Sequence, residues 1–252
     1  MNLRDKIQQS GCVLGIFAKT IDPFFIEIIG KTGFDFVILD CEHGPNSPRE
    51  TLPLIMAAHS GGCAPIVRVG TNSAIEIQRM LDLGIAGVQV PQINTEIEAR
   101  ALVSHAKFHP LGMRGVCRTV RAADYSLKEK SVYFTEQNDT LVVAHIEGME
   151  GVRNLPSLLA VEGIDVYFIG PNDLSQSVGV PGQVDHPLVQ EAIVSVIRQC
   201  AEKDKFCGIY AETPEDVRRY RSMGVHYIAQ SVDVAVFARA CAAAVTMPGK
   251  AG

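Results

Sequence analysis

The sequence predicts an α/β fold, a single (β/α)8 TIM barrel spanning residues 1–252. Three observations point there. Short β-branched or apolar runs alternate with amphipathic stretches, the pattern of βα units on a parallel sheet. The alternation repeats eight times, whereas an open doubly wound sheet more often has about five or six strands. No linker-like tract interrupts it, and a barrel of this kind typically takes about 250 residues.

The first unit is a strand over 13–18 and a helix over 22–32. The second pairs 36–39 with 48–60, the third 64–69 with 73–83, and the fourth 87–90 with 95–107. The fifth has 141–146 and 150–159, and the sixth 165–169 and 187–203. The seventh has 206–210 and 213–223, and the eighth 227–230 and an Ala-rich helix over 232–244. Several helices open on SPRE, TNSAIE or TPED, where a side-chain oxygen or an early Pro suits the unsatisfied first turn. Gly33, Gly84, Gly163 and Gly224 then stop helices by accepting a left-handed conformation. The stretch 108–140 is too long for an ordinary connection, and Gly112, Arg114, Gly115, Arg118, Arg121 and Tyr125 give it the polar character of a folded loop at an active site.

Hydrophobic residues at 47% and charged residues at 20% leave no tract polar enough for disorder. The net charge of −5, with Lys and Arg scattered, offers no footprint for nucleic acid. The N-terminus lacks the apolar core of a signal peptide and no run approaches the ~20 residues of a membrane span, so a cytoplasmic protein is expected. The seven cysteines have no C-x-x-C spacing and read as free thiols; Cys41 stands in a polar sequence, but its acidic neighbours disfavour a thiolate.

In such a barrel the chemistry collects at the C-terminal ends of the strands. There the second strand ends in Asp40-Cys41-Glu42-His43-Gly44 and the third holds Arg68. The fifth ends in His145-Ile146-Glu147-Gly148, and the sixth runs into Gly170-Pro171-Asn172-Asp173. Glu147 and Asp173 follow neighbouring strands about 4.8 Å apart, so both carboxylates can reach one hard cation. Mg²⁺ or Mn²⁺ suits carboxylates completed by water and substrate oxygens. The alternative is that Glu147 caps the next helix and Asp173 caps a turn. Backbone N–H groups of Gly170, Asn172 and Asp173 can face a carboxylate. Arg68, inside the apolar run APIVRVG, either stabilises an enolate oxyanion or is half of a buried ion pair, since a buried guanidinium needs a partner. His43 follows two carboxylates that can orient its ring for proton transfer; otherwise it is a solvated loop histidine. Asp82, in the third helix's last turn, reads as a surface residue or cap.

Taken together and in barrel order, LDCEHGPNS, APIVRVG, GMRGVCRTVRAADY, HIEG and FIGPNDLS resemble the HpcH/HpaI aldolase family of class II pyruvate aldolases over nearly the whole chain. The resemblance implies a barrel of the phosphoenolpyruvate/pyruvate-binding type. It implies reversible cleavage of a 4-hydroxy-2-oxo acid to pyruvate and an aldehyde through a metal-stabilised enolate. Mg²⁺, Mn²⁺ or Co²⁺ would sit on Glu147 and Asp173, with no organic cofactor. Arg68 would stabilise the enolate oxygen, Gly170, Pro171, Asn172 and Asp173 would bind the pyruvate carboxylate, and His43 would transfer protons, tuned by Asp40 or Asp82. Arg121 would shape the acceptor end, from its own or a neighbouring subunit of a homo-hexamer packed through C-terminal helices. The chain departs from the family pattern with His145 where Gln is frequent, with Cys117 and Arg118 after RGV, and with Lys19 at the end of the first strand. Lys19 adds a cation at the mouth, which favours an acidic aldehyde or oxaloacetate. Three rivals are a citrate-synthase-like condensation of acetyl-CoA with oxaloacetate, a Schiff-base aldolase using lysine, and a non-catalytic 2-oxo-acid-binding barrel. The sixth strand ends without a lysine, against the second; the third has no need of both carboxylates, Arg68 and His43 together.

Overall fold

Eight strands run parallel and pair in sequence order until the last bonds to the first, closing a barrel. They are β1 (Val13–Ala18), β2 (Phe36–Asp40), β3 (Ala64–Arg68), β4 (Gly87–Val90), β5 (Leu141–Ile146), β6 (Val166–Ile169), β7 (Phe206–Ala211) and β8 (Tyr227–Val232). The computed structural model describes residues 2–245. Its α-helices are α1 (Leu3–Ser10), α2 (Pro23–Lys31), α3 (Pro48–Gly61), α4 (Ala74–Asp82), α5 (Glu96–Ala106), α6 (Lys130–Asn138), α7 (Met149–Leu159), α8 (Pro171–Ser177), α9 (Pro187–Glu202), α10 (Pro214–Ser222) and α11 (Asp233–Val245). All eight expected units are present with small shifts at their ends, and Gly33, Gly84, Gly163 and Gly224 have positive φ.

Helices α1, α6 and α8, with a 3-10 turn at Arg121–Ser126, lie outside the expected units. Each has a local cause. Asn2 caps α1 by accepting from the Asp5 N–H at 2.8 Å, and the helix buries Leu3 and Ile7 against the N-terminal end of the barrel. Gly170 and Pro171 open α8, a seven-residue helix where the sequence suggests only a turn. Within 108–140, α6 and the 3-10 turn pack around Phe108, Ala122, Ala123 and Tyr133, a small apolar centre of their own. The buried Lys107 closes the ends of this segment, its ammonium donating to the carbonyls of Asn138 (2.7 Å) and Thr140 (2.5 Å).

The period-2 alternation of each strand divides the core in two. Val37, Leu39, Val67, Val88 and Ile146 face the helices, whereas Val13, Phe17, Phe36, Ile38, Ile66, Val143, Phe168 and Tyr227 fill the barrel. Phe36 stacks on Tyr227 with centroids 4.0 Å apart, and a Cβ at Gly15 would lie 2.2 Å from that ring, so only glycine leaves room for it. The interior is thus packed solid at its base. Towards the C-terminal end the inward columns turn polar: Ile38 gives way to Asp40, Ile66 to Arg68, Val143 to His145 and then Glu147. The same rule that builds the core therefore aims these side chains at the mouth.

Helix α11 buries only Asp233; Val234, Val236 and Phe237 are exposed in the single chain. Phe237 meets Phe25 of α2 edge to face at 5.8 Å. Asp233 itself ties α11 to the end of β1 by accepting the Lys19 and Thr20 N–H groups, both at 3.0 Å.

Candidate active site

A cavity of about 300 Å³ opens at the C-terminal end of the barrel. Asp40, His43, Arg68, Glu147, Gly170, Pro171, Asn172 and Asp173 all line it, together with Lys19 and His145. Phe17, Phe168, Tyr210 and Val232 from β1, β6, β7 and β8 complete the wall.

Asp40 and Arg68 are register partners on β2 and β3, so they point the same way at the same height. Arg68 grips Asp40 with its planar fork: Nε donates to Oδ1 at 2.9 Å and Nη2 to Oδ2 at 2.7 Å. Its Nη1 lies 2.8 Å from Glu42 Oε2 as an ion pair without hydrogen-bond alignment, and its face covers the Phe17 ring at 4.9 Å. Both readings of Arg68 therefore hold at once: it is buried in ion pairs and it borders the cavity. Burial pushes the Asp40 carboxyl up, but Arg68 and the N–H groups of His43 and Glu42 outweigh that, leaving it below its ordinary value. Glu42 moves the other way, because burial raises its carboxyl, Arg68 offsets this only in part, and Glu147 adds repulsion.

Glu147 is 6% exposed, with each oxygen held. Oε1 accepts the Gln92 N–H at 2.9 Å and Oε2 faces His145 Nδ1 at 2.9 Å. Gln92 adopts φ 55°, an unfavourable conformation for a non-glycine residue, and that conformation presents its N–H to the carboxylate. Burial raises the Glu147 carboxyl, yet His145, the Gln92 N–H and Arg68 together bring it below the usual range, so it is ionised at neutral pH. Asp173 has no side-chain hydrogen bond or ion pair among the described residues. A Cβ built at Gly170 would fall 2.7 Å from Glu147 Oε2 and 3.7 Å from Asp173 Oδ2. Both carboxylates thus close on one point over a glycine that leaves the space open. Among the described residues no group of three or more His, Cys, Asp or Glu side chains is arranged to hold a metal. The donor set that fits here is a carboxylate pair for a hard divalent cation that completes its octahedron with water and substrate oxygens.

The first turn of α8 adds the N–H groups of Asn172 and Asp173, which have no acceptor within the helix, while Pro171 has none to donate. The imidazole of His43 is 59% exposed at the rim. Asp40 accepts from the His43 backbone N–H, not from its ring, and Glu42 is the carboxylate beside the ring, at 3.8 Å. Asp82 and Arg121 lie outside the cavity of their own chain. Asp82 pairs with Arg114 at 2.7 Å, and Arg121 donates to the Leu83 carbonyl at 2.8 Å. No residue of 108–140 lines the cavity. Sequence reasoning passed over Gln89, whose amide meets His145 inside the barrel; a lone polar residue in the apolar strand GVQV was the available signal.

The sequence pattern of the HpcH/HpaI aldolase/citrate lyase family matches residues 13–240. The chain is 35% identical over 225 residues to a 5-keto-4-deoxy-D-glucarate aldolase of Salmonella arizonae, covering 89% of this chain and 87% of that one. Its fold superposes on an HpcH/HpaI aldolase from Desulfitobacterium hafniense with a TM-score of 0.92, 30% identity and 100% coverage of both chains. It also superposes on the citrate synthase SbnG with a TM-score of 0.88 and 27% identity, covering 97% of this chain and 96% of that one. With the motif residues gathered at one end of the barrel and the match running almost from end to end, the chain belongs to the HpcH/HpaI aldolase/citrate lyase family.

Proposed function

We propose that the protein is a class II aldolase that reversibly cleaves a 4-hydroxy-2-oxo acid to pyruvate and an aldehyde. The observation that carries this is the convergence of Glu147 and Asp173 on one point of a cavity that Arg68 borders. Mg²⁺, Mn²⁺ or Co²⁺ held by these carboxylates would supply Lewis-acid polarisation of the 2-oxo carbonyl.

The remaining chemistry belongs to the chain's own groups. Arg68, its fork fixed by Asp40, presents an N–H towards the carbonyl oxygen that gains charge as the carbon–carbon bond breaks. His43 takes the proton from the 4-hydroxyl as that carbon becomes the aldehyde, with Glu42 beside its ring in the role expected of Asp40 or Asp82. The Asn172 and Asp173 N–H groups receive the carboxylate of the 2-oxo acid. Arg121 and Asp82 would reach a cavity only in a neighbouring copy, in keeping with a homo-hexamer, and the apolar residues left exposed on α11 suit packing between copies.

Chelation with EDTA is expected to abolish cleavage, and Mg²⁺, Mn²⁺ or Co²⁺ to restore it, because oxygen ligands bind these ions reversibly. Full activity in a metal-free sample sinks the mechanism. The similarity to a citrate synthase makes one control necessary: acetyl-CoA with oxaloacetate should release no free thiol.

The wall opposite the carboxylates carries one cation, Lys19, whose ammonium has no partner among the described residues. An aldehyde bearing a carboxylate is therefore preferred. Lys19→Met should lower kcat/KM for aldol addition of pyruvate to glyoxylate roughly 10–150-fold, since a hydrogen bond to a charged group contributes about 1.5–3 kcal/mol. Addition to neutral glycolaldehyde should hardly change. Equal losses for both aldehydes would assign Lys19 a packing role.

A further inference from the structure

His145 has no part in the chemistry above, yet both of its ring nitrogens are engaged. It is 1% exposed and its ring stacks on Phe168 with centroids 4.7 Å apart. The Tyr227 hydroxyl, on β8, donates to Gln89 Oε1 on β4 at 3.2 Å. That bond turns the Gln89 amide nitrogen to His145 Nε2, 2.5 Å away, so this ring nitrogen accepts. The ring hydrogen then resides on Nδ1, which donates to Glu147 Oε2 at 2.9 Å. The other oxygen of Glu147 is fixed by the Gln92 N–H, and the carboxylate packs over Gly170.

We propose that Tyr227, Gln89 and His145 form a buried hydrogen-bond relay that fixes the orientation of Glu147 for a divalent ion, with His145 as the positioning residue in contact with the carboxylate. The proposal rests on the metal reading above. Taken from the carboxylate, a neutral imidazole has one arrangement: ionised Glu147 only accepts, so Nδ1 donates to it, Nε2 accepts from the Gln89 amide nitrogen, and Gln89 Oε1 is left to accept from the Tyr227 hydroxyl. A packing role alone would need only the ring on Phe168. The relay starts from the Tyr227 ring stacked on Phe36 and crosses the barrel interior to Gln89, so the packed base of the barrel anchors it.

The test is Mn²⁺ binding to the intact protein without substrate, counted by electron paramagnetic resonance. His145→Phe keeps the stacked ring but removes both nitrogens. It should raise the Mn²⁺ dissociation constant roughly 10–100-fold, the effect of losing an outer partner of a metal ligand, while His145→Gln, which restores a donor, stays within about threefold of wild type. Tyr227→Phe should weaken binding in the same direction but less, and add nothing in the His145→Phe background, because its influence passes through the ring. If His145→Phe fails to fold, Gln89→Leu and Tyr227→Phe carry the test. Wild-type affinity in either folded variant set, alongside weakened binding in Glu147→Gln, overturns the relay alone. Absence of Mn²⁺ binding by the wild-type protein overturns the metal reading and the relay with it.

Discussion

Arg68→Ala is expected to slow pyruvate methyl-proton exchange in deuterium oxide and aldol cleavage together, by roughly 10²–10³-fold, the usual effect of removing an oxyanion donor. Exchange needs the enolate and no aldehyde, so a shared loss places the arginine at the enolate. The structure adds a second consequence. Asp40 is fully buried and both of its oxygens bond to Arg68, so the variant strands a buried charge and should lose about 3–5 kcal/mol in urea denaturation. Arg68→Lys keeps the charge without the fork and should recover stability better than rate. The acid limb gives a further check. Asp40 has a folded value below its unfolded one, so the pair stabilises the fold at pH above the unfolded value, about 3.9, and that contribution fades as pH falls towards the folded value. In Arg68→Ala this part of the acid dependence should disappear. Wild-type exchange in a folded Arg68 variant would refute the assigned role.

Glu147→Ala and Asp173→Ala should each weaken Mn²⁺ binding by more than the roughly 10–100-fold typical of losing an outer partner, since each removes one of the two proposed protein ligands. Their effects on stability should differ. Glu147→Ala leaves the buried His145 Nδ1 and the part-buried Gln92 N–H without an acceptor, a loss of about 1–3 kcal/mol carried mainly by the histidine. Asp173 is exposed and makes no side-chain bond among the described residues, so Asp173→Ala should stay within about 0.5 kcal/mol of wild type. Unchanged metal affinity in Asp173→Ala would reduce that residue to a part of the α8 turn.

The barrel was legible because its signal is local. Runs such as FVILD and LVVAHI buried on both faces, and the capped helices between them, need no knowledge of the rest of the chain. The added helices were less so: α1 buries only Leu3 and Ile7, and α8 is seven residues opened by Gly-Pro, which reads equally as a turn. The residues at the strand ends were found by their place, but not their partners. Sequence proximity offered both Asp40 and Glu42 to His43 without choosing between them, whereas the β2–β3 register gives Asp40 to Arg68 and leaves Glu42 beside the histidine ring. The contacts among Tyr227, Gln89 and His145 join three separate strands and appear only once the barrel closes.

The solid base of the barrel also governs traffic. With aromatic rings filling the interior below Arg68 and Glu147, and α1 closing the far end, the cavity is a blind well with one opening. Asp40, Arg68 and Glu147 lie deep in it, whereas His43 and Asp173 stand at the rim. A 2-oxo acid seated as proposed, between the deep Arg68 and Glu147 and the α8 turn, would have its way out covered by an aldehyde at the mouth. On the proposed aldolase reading, product-inhibition kinetics should therefore show the aldehyde leaving before pyruvate in cleavage, and pyruvate loading first in synthesis.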